Sequence, residues 1–339
     1  MDLNSIWFVL VGVLFMGYVI LDGFDLGVGT LHLFVKGDRE RRIFLNAIGP
    51  VWDGNEVWLV TAGGALFAAF PKVYATVFSG FYDAFMLLLF ALIFRAVAIE
   101  FRSERPSPGW RKAWDTAFSL GSLVATLLIG VALGNLIWGV PLDSHHEFTG
   151  NILTLLHPYS LLVGLTAVAL TVMHANVYLV MKTDGELQAK LRRWTRRTVS
   201  LYLVFYVAVN AATLLSCAHI QDVARQRPWL LGTLFVVATL LTLNIVREVR
   251  RDREGRAFVS SALSIVALLA LVGASFYPTM VYSNPDIANS LTIYNGASTD
   301  KTLGFMLVVA IVGMPIVLVY TSIVYYVFRG KVELTENSY

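Results

Sequence analysis

The sequence predicts an all-α polytopic membrane protein of about nine transmembrane helices, with its N-terminus outside and its C-terminus in the cytoplasm. Three observations carry this. Only 14% of the 339 residues are charged while 57% are hydrophobic, against about 25% charged in an ordinary soluble domain. Apolar runs recur along the whole chain, each near or beyond the roughly 20 residues that cross about 30 Å of hydrocarbon. The basic residues gather in alternate connections, as they do in cytoplasmic loops.

Taken in order, the spans fall at 6–35, 51–70, 74–100, 115–138, 153–181, 199–218, 228–247, 259–281 and 303–328. The first begins in "MDLNSIWFVL". That stretch carries an acid where a secretory signal carries bases, and it has no small-residue cleavage site, so it is expected to stay as a membrane anchor. The second span is the least apolar. It opens with Asp53 and Glu56 and ends at Phe70-Pro71, and an eight-span alternative lays it flat in the interface. Lysine and arginine decide between the two. With nine spans, 21 of the 26 Lys and Arg lie on one side, in the connections around 36–42, 102–112, 182–197, 247–256 and 329–331. The other side holds Lys72, Arg225, Arg227 and Lys301, and Arg95 lies within a span. Eight spans put the first basic loop on the wrong face.

The connections are short, so residues 1–339 are expected to form a single integral-membrane helical domain. The longest outside connection, about Tyr282 to Thr302, is polar and turn-rich. Trp7, Trp138 and Trp229 sit near span ends, where interface anchors are expected. A single cysteine, Cys217, excludes an internal disulfide and is expected to serve as a small buried hydrophobe.

Ionisable residues within spans are functional candidates, because each costs about 2.5–3.5 kcal/mol or more at a helix centre. Asp22, Asp25, Gly29 and His32 follow one another at i, i+3, i+7 and i+10 and share a helix face. With the first helix leaving the membrane near Val35, Asp25 lies about 15 Å deep, close to the midplane. The glycines of "DGFDLGVG" allow another helix to approach there. Asp53 and Glu56, at i and i+3, lie only about 3–8 Å inside the second helix. If the two faces meet, acids run from the cytoplasmic surface to mid-membrane, the pattern of a proton relay. A structural role stands beside this: Asp53 in the first turn suits the helix dipole, and Glu56 can reach water or an arginine of the first loop. Asp83 is placed deep in the third span, facing a partner subunit or an outside cavity. Arg95 and Glu100 are placed at the interface.

His32 and His174 fall near the cytoplasmic ends of their helices, so a two-histidine haem between them is one reading. "DSHHE" at 143–147 is a weak metal candidate, since adjacent histidines point apart. HExxH, CxxCH, Walker and dinucleotide fingerprints are all missing from the sequence.

The stretches "LDGFDLGVG" (21–29), "GPVWDGNEVWLVTAGGALFAAFPKVYA" (49–75), "SLTIYNGAS" (290–298) and "ENSY" (336–339) are similar to subunit II of cytochrome bd quinol oxidase, over nearly the full length. The resemblance implies a respiratory-chain complex of the bacterial or archaeal plasma membrane that oxidises quinol and reduces O2 to water, taking protons from the cytoplasm without pumping. It implies b-type and d-type haems in subunit I and none held firmly by this chain, and it leaves open a structural quinone or lipid. As partners it implies subunit I, a small single-helix accessory subunit, membrane lipid and quinol, and no nucleic acid. Asp25 and Asp53 match acids that the family associates with proton uptake, and Glu56 falls in the same motif as Asp53. On this view the chain is not catalytic by itself. Two rival readings are a proton-coupled secondary transporter and a self-contained b-type cytochrome anchor on His32 and His174.

Overall fold

The computed structural model describes residues 2–334, so "ENSY" lies outside the described residues. Among them the chain forms α1 (Leu3–His32), α2 (Asp38–Ile48), α3 (Trp52–Ala69), α4 (Pro71–Gly80), α5 (Tyr82–Phe101), α6 (Pro108–Trp138) and the short α7 (Ile152–Leu155). There follow α8 (Pro158–Lys182), α9 (Gly185–Ser216), α10 (Ala218–Gln226), α11 (Pro228–Arg250), α12 (Glu254–Phe276), a hairpin of β1 (Thr279–Val281) and β2 (Leu291–Thr292), and α13 (Asp300–Val327). Proline opens α4, α6, α8 and α11, at a position where its missing N–H costs no helical bond. Asp2 caps α1 by accepting from the Ser5 N–H at 2.7 Å.

Among the described residues, eight helices are long and apolar enough to cross a membrane: α1, α5, α6, α8, α9, α11, α12 and α13. The polar start of α3 keeps it out of that group, but α3 packs along α1. Asn55 meets Asp25, Trp58 packs against Tyr18, and Leu66 and Phe70 join Trp7 and Val11. Thus α3 runs antiparallel along α1 through the bundle.

Helix α1 is the axis of the packing. A Cβ on Gly27 would lie 2.6 Å from Ala175 Cβ and overlap the Thr171 carbonyl; one on Gly29 would lie 2.5 Å from Ser122 Cβ. Gly27 brings the α8 backbone onto α1, and Gly29 makes room for the Ser122 side chain of α6. Cys217 is free and buried.

The basic connections converge at one end. Arg102 donates to Asp115 at 2.6 Å and to Asp38 at 2.7 Å, Arg41 reaches Asp115 at 2.7 Å, and Lys190 reaches Glu40 at 2.7 Å. Arg192 and Lys331 pair with Glu254, and Arg192 also with Asp252. Partial burial works against the Asp38 charge, but Arg102 and Arg111 hold its carboxyl below the ordinary range. Amphipathic α2 lies at this end, with Phe44, Leu45, Ala47 and Ile48 buried. At the opposite end the 282–302 connection is braced by the β1–β2 hairpin, by a bridge from Val140 to Ser283 and by Ser298 N–H donating to Ala69 O at 2.8 Å.

Several sequence expectations are corrected. The predicted 74–100 span is two helices broken at Phe81, so Asp83 lies exposed in the first turn of α5 and not deep within a span. Trp7 is no interface anchor: it is buried and its Nε1 donates to Leu303 O at 2.9 Å, tying α1 to α13. The predicted 259–281 span ends at Phe276, which leaves Pro278 beyond the helix.

Candidate functional site

The face of α1 that carries Asp22, Asp25, Gly29 and His32 is wholly buried, and each residue meets a different neighbour. Asp22 faces α5. Arg95, 0% exposed, donates from Nη2 to Asp22 Oδ1 at 2.6 Å and from Nη1 to Asp22 Oδ2 at 3.4 Å. This fork-to-carboxylate geometry suits a buried pair. Arg95 is therefore not the interface residue its place near the end of an apolar run suggests, because α5 turns it inward onto α1. Its Nη1 also lies 3.7 Å from Glu56 Oε2.

Asp25, one turn on, is 0% exposed. Its Oδ2 accepts from Asn55 Nδ2 at 2.7 Å, and its Oδ1 is buried with no hydrogen-bond partner. Asn55 Nδ2 also reaches Leu21 O at 3.3 Å, and Asn55 Oδ1 accepts from the Tyr325 hydroxyl of α13 at 2.9 Å. The Tyr18 hydroxyl is buried without a partner on the same helix. Asp22 and Glu56 thus share a single guanidinium, and Asp25 lies one turn further along α1.

The two acids of the second motif part company. Glu56 is half-buried and joins the network through Arg95 rather than through the first loop. Asp53 is exposed on the outer side of α3. It lies in the first turn without capping the helix, since Val51 holds the N-cap. The contact that brings α3 onto Asp25 comes from Asn55, a residue the sequence reading passed over. Its signal was available, as the polar position between Asp53 and Glu56 that faces the other way on the helix. Tyr325 had no such signal.

A second cluster lies toward the basic end. Asp115, buried at the start of α6, accepts from Arg41 and Arg102, with His32 Nε2 at 3.4 Å and His32 Nδ1 at 3.3 Å from Ser119 Oγ. His174 is elsewhere. Its Nδ1 lies 2.7 Å from Ser261 Oγ and its Nε2 lies 2.9 Å from Ile20 O. Ile20 and His32 are twelve residues apart on α1, about 18 Å along its axis, so the two imidazoles do not flank one iron. The "DSHHE" stretch is a turn in which the Glu147 and His145 N–H groups donate to Asp143 Oδ1, holding that carboxyl below its ordinary range.

Fold and network together define a multi-pass helical membrane protein with a buried cluster of acids and one arginine against its central helix. Residues 3–328 match the family of cytochrome bd terminal oxidase subunit II. The chain is 37% identical over 370 residues to cytochrome bd-I ubiquinol oxidase subunit 2 of Escherichia coli (strain K12), covering 97% of this chain and 95% of that protein. It is 35% identical over 336 residues to cytochrome bd ubiquinol oxidase subunit 2 of Bacillus subtilis (strain 168), covering 99% and 98%. A chain of the bd oxidase from Geobacillus thermodenitrificans shares the fold, with a TM-score of 0.80 at 20% identity over 97% of this chain and 99% of that one. The chain belongs to the cytochrome bd terminal oxidase subunit II family. It is an inner-membrane component of a bd-type oxidase.

Proposed function

We propose that this chain is a haem-free subunit II that packs on a haem-bearing subunit I and supplies the cytoplasmic proton-uptake route for reduction of O2 by quinol. The observation that carries the proposal is the buried Asp25 carboxyl, with one oxygen held by Asn55 and the other without a partner. A buried acid with an open lone pair is placed to accept a proton and pass it on. Asp53 on the surface of α3 collects protons, and Glu56 lies between it and the Arg95–Asp22 pair. Arg95 offsets the negative charge of the set, so a proton can move among the acids without leaving a bare charge in hydrocarbon.

His32 and His174 do not suit a shared haem, since His174 meets α1 at Ile20, about 18 Å along the axis from His32, and this supports assigning the haems to subunit I. They supply the oxygen chemistry there. The outward faces of α3, with Val57, Val60 and Phe67, and of α13, with Phe305 and Ile311, are apolar and exposed. They provide the surface assigned to subunit I.

The test is Asp25→Asn in the complete complex. Oxygen consumption is expected to fall by about 10²-fold, the low end for loss of a positioned proton carrier, with assembly and the haem spectrum intact. Unchanged turnover overturns the relay, and loss of the haems assigns Asp25 a structural role. Pigment analysis tests the haem assignment: the purified chain is expected to be colourless and the complex to show b- and d-type bands.

A further inference from the structure

We propose that Asn55 and Tyr325 are positioning residues that switch together with the protonation of Asp25, an inference that rests on the reading of Asp25 as a proton carrier. The three groups lie in series. Tyr325 Oη donates to Asn55 Oδ1 at 2.9 Å, and Asn55 Nδ2 donates to Asp25 Oδ2 at 2.7 Å. Asn55 is buried, so it has no water to fall back on.

A side-chain amide has one donor end and one acceptor end. The direction of either contact therefore fixes the other. With the tyrosine hydroxyl donating, Nδ2 must face Asp25, which suits a carboxylate. Leu21 O, 3.3 Å from the same Nδ2, favours this direction. A protonated Asp25 reverses the requirement, because its O–H is buried and needs an acceptor. The Oδ1 position has none where it stands. Turning the carboxyl toward Asn55 and rotating the amide by half a turn restores both bonds: Asp25 donates to Asn55 Oδ1, and Nδ2 donates to the Tyr325 oxygen. The tyrosine hydrogen is then released. Beside it lies a cleft of about 120 Å³, lined in part by Val51, Tyr178, Lys182, Tyr325 and Arg329.

The amide does not itself pass a proton along. It sets which way Asp25 is held, and Tyr325 sets the amide. The charged and titratable groups around Asp25 are Tyr18 and Asp22 on α1, Glu56 on α3, Arg95 on α5, Tyr178 on α8 and Tyr325 on α13. Only Tyr325 reaches Asp25 through a direction-sensing partner.

Infrared difference spectroscopy on the intact complex tests this. The Asp25 carboxyl band is assigned by its absence in Asp25→Asn. Tyr325→Phe keeps the ring and removes the hydroxyl. It is expected to shift that band and to lower oxygen consumption about two- to ten-fold, the range for one lost hydrogen bond between uncharged groups. Asn55→Leu is a second variant, read the same way if Tyr325→Phe does not assemble. An unmoved band and unchanged turnover in the variant that assembles, beside a slow Asp25→Asn complex, overturns the switch alone. A fully active Asp25→Asn complex overturns the proton-carrier reading and this inference with it.

Discussion

Arg95 shows how far a single residue's sequence context reaches. In a run such as "FALIFRAVAIEF" an arginine near the cytoplasmic end reads as one that extends to the interface. The structure instead buries it completely against Asp22. The difference lies in which way α5 faces α1, and that is set by residues distant in the chain. Asp22 and Asp25 were legible because their depth and spacing belong to one helix. Asn55 and Tyr325 were not, because their meaning comes from contacts across 30 and 270 residues. The pairing makes a sharp prediction. Arg95→Met leaves Asp22 as an uncompensated buried charge, a loss of about 3–5 kcal/mol, and assembled complex in membranes should drop to near nothing. Removing both charges in Asp22→Asn/Arg95→Met should restore much of it, since no bare ion is left behind. Equal loss in single and double variants, measured by haem absorbance and immunoblot, would show that the ion pair is not what the fold requires.

At the scale of the helix, packing follows from small residues and breaks follow from turns that hydropathy does not register. The glycines of "DGFDLGVG" announce close approach, and Gly27 and Gly29 meet α8 and α6. The break at Phe81 was passed over although Ser79, Gly80 and Asp83 flank it, because long apolar stretches lie on both sides and carry the average hydropathy across it. Gly27→Ala presses a methyl onto the Thr171 backbone carbonyl, which has no rotamer to give way. Overpacking of this kind costs about 1–3 kcal/mol, so the solubilised complex should unfold at a lower temperature. Gly12→Ala, on the same helix with open space around it, should leave the unfolding temperature unchanged or raised, as alanine is the better helix former. Equal behaviour of the two variants would remove close α1–α8 packing as the reason for the glycine.

For the whole molecule, the distribution of Lys and Arg set the direction of every helix before any contact was known. The ion pairs bear on this directly, because they link the connections after α1, α5, α8 and α11 and the chain beyond α13 to one another at one end. Most are exposed enough to contribute about 0–1 kcal/mol each, so they mark the end of the bundle more than they hold it. The weak point is α3. If it stood outside the membrane, the first basic connection would change sides while all the later ones kept theirs. A cysteine scan separates the two arrangements. Cys217 is the only cysteine in the chain, and Cys217→Ser gives a clean background. Lys36→Cys, Arg105→Cys, Asp222→Cys and Ile287→Cys then place one exposed thiol in each of four connections. On intact spheroplasts a membrane-impermeant maleimide should label positions 222 and 287. Positions 36 and 105 should react only after the membrane is opened. Labelling of position 36 from outside while position 105 stays protected would lay α3 flat, and with it would go the proposed uptake of cytoplasmic protons at Asp53.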